Sequence, residues 1–225
     1  MPNIRENLNA ILEESSKYDT KLIAVSKTKP TSLILEAYSA GHLDFGENKV
    51  QELVSKHSEL PKDIRWHMIG HLQRNKVKQI APFVHLIHGV DSERLLIAIE
   101  KEGSKIDRVI DVLLQVHIAT ETTKFGFSKE ELLSFIQSKT FKDLKFINVK
   151  GLMGMATFTD DKSVIESEFQ GLKSLFTEIK NQAQPSNIQM EELSMGMSGD
   201  YKIAMDCGST MIRVGSSIFG ERNYA

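Results

Sequence analysis

Short apolar, β-branched runs alternate with longer amphipathic runs along the whole chain. The apolar runs predict strands at 21–28, 44–48, 65–70, 86–90, 111–118, 150–156, 191–196 and 210–218. Several of them, such as LIAV and VLLQV, are continuously apolar, the pattern of parallel strands buried beneath helices. The amphipathic runs predict helices at 31–40, 48–59, 71–81, 91–102, 128–138, 161–183 and a short one at 199–207. Pro30 precedes the first of these, Pro82 ends the third and Gly103 ends the fourth. Ser128 with Glu131, and Ser163 with Glu166, have capping-box spacing, and Ser198 is expected to cap the last helix. In 161–183, residues Ile165, Phe169, Leu172, Phe176 and Ile179 fall on one face at helical spacing. Strand and helix alternate eight times behind an additional N-terminal amphipathic stretch. That order predicts an α/β protein, a closed (β/α)8 TIM barrel with an extra N-terminal helix. A doubly wound open sheet shares the βαβ unit, and the count of eight favours closure.

The chain has 225 residues, which suits one barrel of about 200–250 residues. A single domain over 1–225 is therefore expected. At 40% hydrophobic and 26% charged residues, the chain has the composition of a soluble globular protein. A net charge of −2 gives no basic field for nucleic acid. No apolar run approaches the roughly 20 residues of a membrane helix. The N-terminus is amphipathic and acidic, unlike a secretory signal. One cysteine, Cys207, makes no internal disulfide, and a reducing, cytoplasmic location is expected.

Barrel active sites lie at the C-terminal ends of the strands. The first predicted strand ends in Ser26, Lys27 and Thr28, and the second in Glu47 and Asn48. The third ends in Gly70 and His71 with His67 inside it. The seventh ends in Ser194, Gly196 and Ser198, and the eighth carries Arg213, Gly215, Ser216 and Ser217. Glycine and hydroxyl residues after strands seven and eight, at Ser198-Gly199 and Gly215–Ser217, are what a phosphate site needs, because the backbone can approach and donate N–H groups. A lysine across the mouth can form a Schiff base with a carbonyl. Phosphate grip plus Schiff-base lysine describes a pyridoxal 5′-phosphate (PLP) site, and equally a phosphosugar aldolase.

The motifs AVSKTKP (24–30), FGENKVQE (45–52), WHMIGHLQRNK (66–76), GLMGMA (151–156), LSMGMSGD (193–200) and GSTMIRVGSSIFG (208–220) closely resemble the PLP homeostasis protein family, also known as the YggS or PROSC family. That family resembles the N-terminal barrel of alanine racemase and of ornithine decarboxylase, without their second β domain. The resemblance implies that Lys27 carries PLP as a Schiff base and that Asn48 lies beside it. It implies that Ser194, Gly215 and Ser216 hold the phosphate and that Arg213 faces the pyridine nitrogen. An arginine keeps that nitrogen unprotonated, which makes the ring a poorer electron sink. Lys49 stands where an aromatic is frequent and His71 where the family varies.

A PLP-binding carrier is expected, monomeric, that keeps PLP sequestered and helps supply apo PLP-dependent enzymes. A racemase of the related fold takes its second base, a tyrosine, from a partner's β domain. The chain is expected to lack that base, Tyr224 lying in the tail. The alternative is a PLP-dependent amino-acid racemase or related enzyme. Several residues also have plainer expectations. Asn48 and His71 suit helix caps, and His67 suits a barrel interior with a satisfied hydrogen bond. Methionines 153, 155, 195 and 197 are expected as core filler around the mouth, and Cys207 as a small buried residue rather than a nucleophile. Arg74, Lys76 and Lys78 suit a solvated helix face and Lys124 an ordinary loop.

Overall fold

The computed structural model describes residues 3–120, 125–182 and 185–221. Lys124 and Tyr224 lie outside them. Eight parallel strands pair in chain order and close on themselves: β1 (Lys21–Val25), β2 (Asp44–Glu47), β3 (Arg65–Met68), β4 (Leu86–Val90), β5 (Ile110–Gln115), β6 (Ile147–Met153), β7 (Ile188–Ser194) and β8 (Met211–Val214). Closure comes from Lys21 to Ala24 of β1 pairing with Met211 to Val214 of β8. The expected barrel is therefore the observed one.

The helices are α1 (Ile4–Ser16), α2 (Thr31–Ser39), α3 (Val50–Glu59), α4 (Val77–Ile80), α5 (Glu93–Lys105), α6 (Lys129–Gln137), α7 (Lys139–Lys142), α8 (Lys162–Lys180), α9 (Tyr201–Asp206) and α10 (Ser216–Phe219). The extra helix α1 packs on β1, α2 and α10 and buries Ile4, Leu8 and Ile11. It thus covers the seam where the sheet closes. The capping box of Ser128 and Glu131 forms at α6.

Side chains alternate across each strand. Leu22, Ala24, Phe45, Trp66, Met68, Ile212 and Val214 belong to the main core between barrel and helices. Inside the barrel are two smaller apolar groups. Leu86, Leu113, Met153 and Met211 form one, and Ile23, Val25 and Ile69 the other. The rest of the interior is polar, with His67, His88, Ser194 and Arg213 all buried.

Five local expectations are corrected. The 71–81 helix is only a 3₁₀ turn (Arg74–Lys76) followed by α4. His71 does not cap it, because its ring pairs with Asp91 at 2.8 Å and stacks on Phe125. The cap of α8 is Asp161, whose carboxylate accepts from Ser163 N–H at 2.9 Å, so Ser163 is already inside the helix. Ser198 does not cap α9, because its hydroxyl accepts from Gly215 N–H at 3.2 Å and Asp200 takes the cap position. The eighth strand stops at Val214, and Gly215 turns the chain into α10.

Candidate active site

The C-terminal mouth of the barrel holds a cavity of about 280 Å³, at the small end of the usual range for small-ligand sites. Its wall brings together Lys27, Asn48, Arg213, Gly215 and Ser216, and adds Ser198 and Gly199. A larger hollow of about 1350 Å³ between the 3₁₀ turn, α5 and α6 contains none of these residues and is wide open to solvent.

Lys27 leaves the end of β1 in a tight turn. Thr28 behind it has φ 63°, a left-handed conformation that a β-branched residue adopts only under constraint. The constraint is visible on both sides of Lys27. Thr28 N–H donates to Glu52 Oε1 at 2.6 Å. Ser26 hydroxyl donates to Glu47 Oε1 at 2.5 Å. Lys56, buried in α3, donates to the Ser26 carbonyl and to Glu47 at 2.8 Å, and to Glu52 at 2.6 Å. Burial pushes the Glu47 carboxyl above the usual carboxylate range, and the Lys56 charge only partly offsets this. One buried cluster thus fixes the backbone that presents Lys27. Sequence reading passed over it. The readable signal was Glu52 and Lys56 at i, i+4 spacing, with Lys56 on the apolar face of Val50 and Leu53.

At the opposite wall, Gly215 lets β8 approach β1, since a Cβ there would meet the Val25 carbonyl oxygen at 2.9 Å. Beyond it, the N–H groups of Ser216 and Ser217 have no acceptor among the described residues. Lys29 ties the end of α10 by donating to the carbonyls of Phe219, Gly220 and Glu221 at 3.1, 2.9 and 2.7 Å. Arg213 forms the cavity floor. It donates to Ser194 Oγ at 2.6 Å and to the Gly154 carbonyl at 3.1 Å. Burial pushes its pKa down to about 10, so it stays cationic at neutral pH.

Ser194 is not in the wall. It is fully buried beneath Arg213, and its hydroxyl meets both the guanidinium and His88 Nδ1, the latter at 2.9 Å. The serine after β7 that lines the cavity is Ser198. Met155 and Met197 line the cavity and Met153 and Met195 are buried. Cys207 is half-buried, and burial pushes its thiol pKa up, away from a nucleophile's range. Arg74 and Lys78 are exposed.

From Ser194 a hydrogen-bonded chain runs down the barrel axis. His88 Nε2 lies 2.9 Å from His67 Nδ1, and His67 Nε2 lies 3.2 Å from Asp44 Oδ1. The expected satisfied interior His67 is thus observed. Burial lowers the pKa of His67 and His88, the latter further, so both rings are neutral. Burial opposes ionisation of Asp44 as well. Hydrogen bonds from His67 and Arg65 outweigh it and hold the carboxyl well below the usual range. An arginine only donates and a carboxylate only accepts. With neutral rings, one proton arrangement satisfies every contact: Ser194 O–H to His88 Nδ1, His88 Nε2–H to His67 Nδ1, and His67 Nε2–H to Asp44. His88 and Asp44 were not flagged from sequence, because the members of this chain meet only when the barrel closes.

Fold and site together define a closed parallel barrel of the alanine racemase N-terminal-domain type, and the sequence model of that family matches residues 1–223. The chain belongs to the pyridoxal phosphate homeostasis protein family. It is 38% identical to the "Pyridoxal phosphate homeostasis protein" of Haemophilus influenzae, covering 99% of this chain and 98% of that one. It is 36% identical to that of Pasteurella multocida, over 100% and 97%. PipY of Synechococcus elongatus, solved with PLP bound, superposes with a TM-score of 0.86 at 33% identity, covering 97% of this chain and 100% of that one. Alanine racemase of Bartonella henselae shares the fold at a TM-score of 0.73 and 15% identity, over 97% of this chain and 58% of that enzyme. No helix among the described residues is long and apolar enough to cross a membrane.

Proposed function

We propose that this protein binds PLP in the C-terminal cavity, held covalently as a Schiff base on Lys27, and serves vitamin B6 homeostasis by sequestering the reactive aldehyde and passing it to apo PLP-dependent enzymes. The observation that carries this reading is a single small cavity uniting an amine, a buried cation, and hydroxyl and N–H donors on glycine turns. The donor set fits the group. The N–H groups of Ser216 and Ser217, with the hydroxyls of Ser198 and Ser216, suit its phosphate. Arg213 would suit the pyridine nitrogen, and Asn48 would lie beside the ring. Bound PLP would supply an electrophilic carbonyl and an electron sink.

The chain's own residues do the rest. The Glu47–Lys56–Glu52 cluster orients the Lys27 turn. Arg213 keeps its proton because its pKa of about 10 lies well above neutrality. Ser194 and Gly154 hold the guanidinium in place, so Ser194 acts through Arg213. A permanent cation at the ring nitrogen weakens carbanion chemistry, which favours a carrier over a racemase. PipY, solved with PLP bound, and the pyridoxal phosphate homeostasis proteins to which this chain is similar support the same reading.

The test is borohydride reduction of the purified protein followed by peptide mapping. A pyridoxyl adduct is expected on Lys27 and absent from Lys27→Ala, which keeps its fold. Ser198→Ala and Ser216→Ala are expected to speed cofactor release, as is Arg213→Ala. An adduct on another lysine, or none, overturns the assignment.

A further inference from the structure

The opposite mouth of the barrel holds a second cavity, also of about 280 Å³, lined by Asp44, His67 and His85 together with Arg65, Lys150 and Glu192. Three potential ligand atoms meet there, one each from Asp44, His67 and His85, all within 4.8 Å of one another. The residues come from the N-terminal ends of adjacent elements. Asp44 begins β2 and His67 lies on β3, which pairs with it. His85 immediately precedes β4, and its N–H is tied to the Trp66 carbonyl at 2.8 Å.

We propose that Asp44 Oδ1, His67 Nε2 and one ring nitrogen of His85 form a binding site for a divalent transition-metal ion of the Zn2+ type, with a further position open to water.

Two imidazoles and one carboxylate are the donors of a borderline cation, and three protein ligands plus solvent is a familiar zinc arrangement. With bonds of about 2.0–2.1 Å, ligand atoms of a tetrahedral site lie about 3.3–3.4 Å apart. His67 Nε2 and Asp44 Oδ1 already stand at 3.2 Å. For a neutral imidazole donor that spacing is at the long end of the ordinary hydrogen-bond range of about 2.7–3.2 Å. His85 is exposed, and its ring nitrogens have no hydrogen-bond partner among the described residues, so a rotation brings one to the ion at little cost. Its ring already lies edge-on to His67, 5.2 Å between centroids.

The second layer is in place too. Metal-binding histidines hold their other nitrogen in a hydrogen bond, and His67 Nδ1 stands 2.9 Å from His88 Nε2. When His67 Nε2 takes the ion, each ring keeps one proton, now on Nδ1. His67 then donates to His88, His88 donates to Ser194 Oγ, and the Ser194 hydroxyl turns away. Arg65 is the opposing element. Its Nε donates to Asp44 Oδ1 at 2.6 Å and its NH2 to Oδ2, placing a cation beside the site. It leaves lone pairs on both carboxylate oxygens. Its charge repels any divalent cation alike, so the preference for Zn2+ over hard ions such as Mg2+ comes from the two imidazoles.

The experiment uses the full chain, stripped with chelator, titrated with Zn2+ by calorimetry and with Co2+ by visible absorption. One equivalent is expected to bind, with the intense d–d bands of four-coordinate Co2+. Asp44→Asn and His85→Ala are each expected to weaken binding at least about tenfold. Mg2+ in excess is expected to leave the titration unchanged. His85 is at the surface, so its variant keeps the fold, checked by circular dichroism. No stoichiometric binding to the wild type overturns the proposal, as does undiminished affinity in His85→Ala. Loss of binding in His71→Ala, with His85→Ala unaffected, places the ion at the His71–Asp91 pair and overturns it as well.

Discussion

Single positions carry much of the geometry here. Gly151 has φ 152° where the pairing of β6 with β7 shifts register, and a Cβ there would lie 1.8 Å from the Glu192 carbonyl oxygen. That atom belongs to the strand backbone and cannot swing aside. Gly151→Ala is expected to destabilise the protein by about 3 kcal/mol or more, read as a fall in the urea midpoint. A change within about 0.5 kcal/mol, the level of an ordinary surface substitution, would contradict the strand pairing described. At this scale the sequence was legible where motif and strand end coincide. Lys27, Asn48, Arg213, Gly215 and Ser216 all reach one cavity. Ser194 and Ser198 were not separable in the same way. Both hydroxyls follow apolar residues unbranched at Cβ, Leu193 and Met197, near one strand end, and which of them faces the cavity depends on the layer that Arg213 occupies.

Elements were legible because each obeys one periodicity. The strands read as apolar runs and α8 as a stripe, and the capping box at α6 stands as spaced. Short turns were not, since α7 and α10 have four residues each, too few for a 3.6-residue period to register. The buried charges between β2 and α3 were hidden for another reason: a lysine on a helix reads as solvated until its partner strand is placed beneath it. Lys56 and Glu47 are nearly inaccessible, with side-chain exposures of 6% and 0%. Lys56→Met would leave the Glu47 carboxylate buried without its counter-charge, at a cost of about 3–5 kcal/mol. Protonation relieves that carboxylate, so the deficit should shrink as pH falls. Urea titrations near neutrality and in mild acid check both statements, and a deficit equal at the two pH values would refute the second.

Over the whole molecule, the axial chain sets how stability responds to acid. His67 and His88 have folded pKa values below their ordinary 6.5. Below that value the unfolded chain takes up protons that the folded one does not. Stability is therefore full above pH 6.5 and falls as pH drops through that point. Asp44, whose folded pKa is also depressed, adds its loss only below its ordinary 3.8. The thermal midpoint is expected to fall between about pH 7 and about pH 5, and to fall less steeply in His88→Gln. A flat profile in the wild type, or the same slope in both proteins, would refute the neutral-ring arrangement.

Closure of the sheet has one more consequence. Every strand has a neighbour on both sides, so no rim of unpaired amides is offered for a foreign strand to extend. Recognition by another polypeptide must then go through outer helices or the connecting segments at either end of the cylinder. The end that holds Lys27 also carries Phe158, 97% exposed, on the segment between β6 and α8.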